Sequence, residues 1–149
     1  MRVLDGQNVS YDVFTYPPQR HSAIEVAQLA GVSAEIVYKT LVVQRERGKP
    51  VLVMIPGDRQ LNLKRFAASI GEKRLRMASQ REAERLTGLR VGGISPLALL
   101  NRGFDIYADK HALAQSRIYV SAGRRGVNLC LPVQDLLDVT GAQPVDAVD

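Results

Sequence analysis

Three short stretches hold the residue types from which a site could be built. The first is Lys39-Thr40, at the entrance to an apolar, β-branched run. A lysine there either snorkels along the surface or aims its charge into a cleft. The second is Val91-Gly92-Gly93-Ile94-Ser95-Pro96. Paired glycines reach backbone angles closed to other residues and let another group approach the main chain. Pro96 fixes its own φ, donates no N–H and pushes Ser95 toward an extended conformation. The result is either an ordinary turn or a stiff loop that offers backbone N–H and C=O groups to a ligand. The third is Ser121-Ala122-Gly123-Arg124-Arg125-Gly126. It is either a solvated hairpin turn or a backbone nest with two guanidinium groups for phosphate.

Other chemistries lack their parts. His21 lies in a proline-rich link and His111 in a polar short helix, and both read as solvent-exposed. No serine sits in a GxSxG elbow, so a Ser-His-Asp triad has no support. Gly71-Glu72-Lys73 lacks the spacing of a phosphate-binding Walker loop, and no GxGxxG is present. Two separated histidines and the single Cys130 do not make a metal-ligand set, so neither metal nor cofactor is expected.

The elements that must position these stretches follow from local patterns. Val9–Tyr16 reads as a strand stopped by Pro17-Pro18. Ser22 and Glu25 form a capping box for a helix that Gly31 ends, and Ser33 caps a second short turn. Leu41–Arg45 and Pro50–Ile55 read as a hairpin whose strands are buried on both faces. Asn62 caps a helix with Leu63, Phe66, Ala67 and Ile70 on one stripe, stopped by Gly71. A short strand at Arg74–Met77 precedes a second capping box, Ser79 and Glu82, whose helix closes at Gly88. After the glycine-paired loop come a strand at Phe104–Ala108, a short helix capped by Asp109, and strands at Arg117–Ser121 and Val127–Leu131. Pro132 opens a last helix running to about Val139. The tail from Gly141 reads as frayed. Six or seven strands with four or five helices, and at least one hairpin, predict a mixed α/β fold rather than a strict βαβ alternation.

The chain has 149 residues, which predicts one domain over 1–149 with a real core. It carries a net charge of +5 and a pI of about 9.7, a lean toward anionic partners such as nucleic acid or phosphates. There is no tryptophan, which disfavours an aromatic platform for stacked bases. One cysteine, no signal-peptide core and no membrane-length apolar run predict a cytoplasmic protein without a membrane partner.

Taken in order, four segments resemble the YbaK family, which is related to the editing domain inserted in bacterial prolyl-tRNA synthetases. They are Val37–Leu41, Gln60–Lys64, Thr87-Gly88 with Val91–Pro96, and Ile118–Gly126. The resemblance runs from about Tyr11 to Val139. It implies a mixed, barrel-like sheet ringed by short helices. It also implies a trans-acting deacylase that hydrolyses the ester of misacylated tRNA, tRNA(Pro) foremost, with no metal and no protein nucleophile. An aminoacyl ester is already labile, so positioning and oxyanion-type stabilisation could suffice.

By the same resemblance, Lys39 holds the substrate end or its phosphate. The backbone of Gly92, Gly93, Ile94, Ser95 and Pro96 fixes the ester carbonyl and the attacking group, which is a water, a ribose hydroxyl or the substrate's own side chain. Tyr16, Thr40, Ser121 and Asn128 shape the pocket, and Arg124 and Arg125 meet the acceptor-stem backbone. Two places depart from the members that remove cysteine: the segment Pro17–Ser22, and Asn128, where those members carry aspartate. The amino acid removed therefore stays open among Cys, Ala, Ser and Thr. Partners implied are misacylated tRNA and a prolyl-tRNA synthetase, for a monomer or homodimer. A non-catalytic tRNA- or synthetase-binding module of the same fold is the alternative, and a hydrolase for small aminoacyl or nucleotide esters is a third reading.

Overall fold

Local signals set the helix ends in the computed structural model, which describes residues 1–149. Helix α1 spans Arg2–Gly6 and α2 spans Ala23–Ala30. In α2 the Ser22 hydroxyl accepts from the Glu25 amide while the Glu25 carboxylate accepts from the Ser22 amide. Helix α3 spans Leu63–Ile70 under an Asn62 cap, and α4 spans Gln80–Thr87 under the reciprocal Ser79–Glu82 cap. Each such cap satisfies amides that the first helical turn leaves unpaired, worth about 1 kcal/mol. Helix α5 spans Val133–Thr140.

The strands are β1 (Asp12–Thr15), β2 (Tyr38–Arg45), β3 (Val51–Pro56), β4 (Leu75–Met77), β5 (Asp105–Asp109), β6 (Arg117–Ser121), β7 (Val127–Pro132) and β8 (Gln143–Val145). They divide into a three-stranded sheet, β1-β7-β6, and a five-stranded sheet, β4-β2-β3-β5-β8. The hairpin β2–β3 is antiparallel, while β3–β5 and β5–β8 are parallel, so the larger sheet is mixed as expected. The two sheets do not close into a single barrel. A bridge between Val37 and Tyr119 joins them where β2 begins.

Two apolar layers flank the larger sheet. One face carries Tyr38, Val42, Leu52, Met54 and Ile106, which pack with Ile118, Val120, Leu129 and Leu131 of the smaller sheet and with Leu136 of α5. The other face carries Val43, Val51, Val53 and Ile55 against Phe66 of α3. The apolar stripe of α3 buries Phe66 and Ala67 and leaves Lys64 and Arg65 exposed.

Three expectations need correction. The tail is not frayed: β8 adds a parallel edge to β5, Val148 bridges to Leu61, and Val145, Ala147 and Val148 are buried in the α3 layer. Its partner lies far back in the chain, so a local reading could not find it. Strand β3 is buried throughout, but β2 is buried only at Tyr38, Val42 and Val43. The strand also begins at Tyr38 rather than Leu41, which places Lys39 and Thr40 inside it.

Candidate active site

The half-exposed start of β2 borders a cavity of about 530 Å³. Strand β4 pairs with β2 only at Val43–Arg45, so that edge of Lys39–Leu41 stays unpaired and forms one wall. The start of α2 and the link before it form a second wall, the loop after α4 a third, and Ser121 and Asn128 the floor. Among the expected site residues, Lys39, Thr40, Tyr16, Gly92, Ile94, Ser121 and Asn128 all line this cavity.

Lys39 is half-buried, and burial lowers its pKa from the usual lysine value, partly offset by the Asp58 carboxylate. No carboxylate lies within the 4.0 Å of an ion pair. Its ammonium is thus a charge held in the cavity without a permanent partner, available to an anionic or polarised group.

The loop is stiff for reasons that can be named. Gly92 has φ of +96°, a left-handed angle that favours glycine. A Cβ on Gly93 would lie 2.7 Å from the backbone of Arg124, so the loop is pressed against the Gly123–Gly126 turn. The Arg125 Nε donates to the Val91 carbonyl at 2.8 Å. The Val91 amide donates to the Glu84 carboxylate at 2.8 Å, and the Gly93 amide to the Arg90 carbonyl at 2.8 Å. The Ser95 hydroxyl accepts from the Leu97 amide and is fully buried. The N–H groups of Gly92 and Ile94, both on the cavity, bond to no protein acceptor. Val91, Gly92 and Ile94 therefore face the cavity, whereas Gly93, Ser95 and Pro96 lie outside its lining, packed behind it.

The floor is a small polar network. The Asn128 amide donates to the Tyr16 hydroxyl at 2.9 Å, leaving the phenolic proton free to donate into the cavity. Burial raises the Tyr16 pKa, with Asn128 acting in the opposite direction. Ser121 sits opposite Asn128 in the β6–β7 register, and its hydroxyl accepts from the Gly123 amide at 3.2 Å. Arg124 is exposed and does not line the cavity. Arg125 also stays out of the lining, its guanidinium holding the loop from behind.

The cavity holds residues that local reading passed over. His21, read as solvent-exposed, packs edge-on against the Tyr16 ring at 5.4 Å and lines the wall. Arg20 lines it too, and its guanidinium reaches across to the Gln80 side chain at 2.8 Å. The Tyr38 hydroxyl is buried without a hydrogen-bond partner. The available signal for Arg20 and His21 was position: their link must lead from Tyr16 straight to the capped start of α2. His111, the other histidine read as exposed, instead rests its Nδ1 2.6 Å from the buried Asp109 carboxylate.

This fold and this cavity define a class. Residues 17–139 match the aminoacyl-tRNA editing domain, and the chain belongs to that family. It is 33% identical over 145 residues to a protein of Enterococcus faecalis provisionally named Cys-tRNA(Pro)/Cys-tRNA(Cys) deacylase EbsC, covering 96% of this chain and 88% of that one. It is 38% identical over 82 residues to a proline–tRNA ligase of Thermodesulfovibrio yellowstonii, covering 55% of this chain and 14% of the ligase. Among solved structures, the hypothetical protein APE2540 superimposes with a TM-score of 0.89 at 30% identity, covering 99% of this chain and 97% of that one. A protein described as a trans-editing enzyme for prolyl-tRNA synthetase, also a provisional assignment, superimposes with a TM-score of 0.83 at 27% identity, covering 99% and 96%.

Proposed function

We propose that the protein hydrolyses the ester of misacylated tRNA in trans, with tRNA(Pro) as its foremost substrate. The observation that carries this reading is the meeting of an unpaired Lys39 ammonium with the free N–H groups of Gly92 and Ile94 in one cavity. The names of the similar proteins support the choice of substrate class.

In this reading the aminoacyl end of the tRNA enters between β2 and the loop. Lys39 holds the terminal nucleotide by charge, at its phosphate or its polarised ester end. The N–H groups of Gly92 and Ile94 donate to the carbonyl oxygen as negative charge develops on it. An oxygen nucleophile, water or the neighbouring ribose hydroxyl, adds to the carbonyl carbon, or the substrate's own side chain does. The ester C–O bond then breaks, and the ribose oxygen takes up a proton. With water the amino acid leaves directly. Attack by the ribose hydroxyl only moves the ester to that hydroxyl, and water must still cleave it. Attack by the side chain frees the tRNA and releases a cyclic ester or thioester that water later opens. The Ser121 hydroxyl accepts from the Gly123 amide, and no histidine nitrogen is bonded to it, which supports a reaction without a protein nucleophile. Tyr16, Asn128 and Thr40 touch the amino-acid side chain and set the choice among Cys, Ala, Ser and Thr.

The test is a panel of tRNA(Pro) and cognate tRNAs charged with cysteine, alanine, serine or threonine. Turnover on at least one, lost in Lys39→Ala with the fold retained, is the expected result. Salt-dependent tRNA binding with no ester cleaved would assign the chain to a non-catalytic binding module instead. Free aminoacyl esters cleaved as fast as tRNA-linked ones would point to a small-ester hydrolase.

A further inference from the structure

A second cleft, of about 650 Å³, opens between the end of β2, β4 and α3. We propose that it docks the phosphate backbone of RNA, a contact separate from the catalytic cavity; this rests on the reading that the substrate is a tRNA.

The charges carry the argument. Arg45, Lys64, Lys73, Arg74 and Arg76 line the cleft, against one lining carboxylate, Glu46. Two of the arginines are committed within the protein. Arg45 pairs with Asp105 at 2.9 Å and Glu72 at 3.8 Å, and Arg76 with Glu82 at 3.1 Å. Arg74 faces Glu46 at 3.8 Å with both side chains largely exposed, a contact water weakens. Lys64 and Lys73 are exposed and have no ion-pair partner. Exposed ammonium groups on the rim of a groove are point charges suited to phosphate oxygens rather than to a shaped ligand. The apolar lining is Leu63, Ala67 and Leu75, with no aromatic ring on which an unstacked base could rest. The cleft therefore fits a backbone and not splayed bases.

Its place in the fold fits the same partner. Strand β2 borders the catalytic cavity at Lys39 and this cleft at Arg45, six residues on, a span of about 20 Å. Leu41 lines the first cavity and packs in the same apolar cluster as Leu63 and Leu75, which line the second. An aminoacyl group alone reaches only the first. A chain of nucleotides extends from one to the other.

The experiment titrates a fluorescent, uncharged tRNA(Pro) transcript with the full chain from about 50 to 200 mM salt. A Lys64→Ala/Lys73→Ala variant is compared with an Arg2→Ala/Lys110→Ala variant, which removes equal charge away from both cavities. We expect the first to weaken binding about tenfold and to flatten the log–log salt slope by about 1.4 to 1.8. The second should keep the slope. Equal slopes in all three proteins, or equal loss in both variants, would overturn the proposal. So would polyglutamate displacing the transcript as well as unlabelled tRNA does, which would mark the cleft as a seat for an acidic polypeptide. Because binding is read without turnover, the two readings separate. Loss of binding in a protein that cleaves no ester upholds the cleft and removes the deacylase. Turnover with unchanged binding in the Lys64/Lys73 variant upholds the deacylase and removes the cleft.

Discussion

Arg125 reaches the main chain of Val91 from across the cavity's rear, donating from Nε to the carbonyl oxygen at 2.8 Å. A side chain read from sequence as an RNA contact is thereby tied to the loop whose Gly92 and Ile94 line the cavity. The two adjacent arginines should then separate in kinetics. Arg125→Ala is expected to lower kcat about tenfold, the loss of one charge-assisted hydrogen bond of about 1.5 kcal/mol. Arg124→Ala is expected to raise KM for tRNA, since the exposed side chain holds no part of the loop. Steady-state deacylation at fixed salt checks both. Equal KM effects from the two variants would return Arg125 to the RNA-contact role.

Lys39 should trade stability for activity. Its folded-state pKa lies below the unfolded value of about 10.5, so between the two the unfolded chain binds more protons. The burial penalty is thus fully present at neutral pH and fades as pH rises through the lowered pKa toward 10.5. Lys39→Met is expected to lower kcat/KM about 100- to 1,000-fold while raising Tm at pH 7. The Tm gap should narrow on alkaline titration. A Tm that falls at neutral pH would show that the ammonium stabilises the fold.

Gly93→Ala places a methyl carbon 2.7 Å from the Arg124 main chain, where only backbone could give way. We expect a stability loss of about 1–3 kcal/mol in urea unfolding. Displacement of the loop by even an ångström should cost about 100-fold in rate. Native stability and full activity together would mean the loop and the turn have room for a methyl group between them.

Tyr16 and Asn128 form a pair, so their variants should not add. Tyr16→Phe removes the acceptor of a buried amide, at about 1–3 kcal/mol. It should also reorder the preference among cysteinyl, alanyl, seryl and threonyl esters. The double variant with Asn128→Ala should cost less than the two singles summed. Strict additivity in a double-mutant cycle would show that the hydrogen bond does not couple them.

A chain ending at Ala142 tests the C-terminal strand. It exposes the α3 layer where Val145 and Val148 are buried, about 1.5–3 kcal/mol for each valine. It also takes the Ala147 amide from the buried Asp109 carboxylate. A Tm unchanged from the full chain would mean the strand contributes nothing.

Ser22, Asn62, Ser79 and the glycines after their helices act within a few residues, and the structure has each of those helix ends where the spacing puts it. The mixed α/β class followed from the hairpin and the element count. The division into two sheets did not, since it depends on pairings between strands distant in sequence, β1 with β7 and β3 with β5. The site was partly legible. Lys39, Gly92 and Ser121 stood in recognisable segments, but which loop residues line the cavity depends on packing against the 123–126 turn. His21 was hidden because a histidine in a proline-rich link is exposed or enclosed according to where the next helix lies.

The parallel pairing of β8 with β5 has a consequence during synthesis. A nascent chain can close the β2–β3 hairpin early, but β5 keeps an open edge until β8 has been made and docks beside it. Unpaired edges invite pairing with other chains. Until β8 docks, the β5 edge is therefore where this polypeptide is open to pairing with another chain, and where a chaperone would shield it.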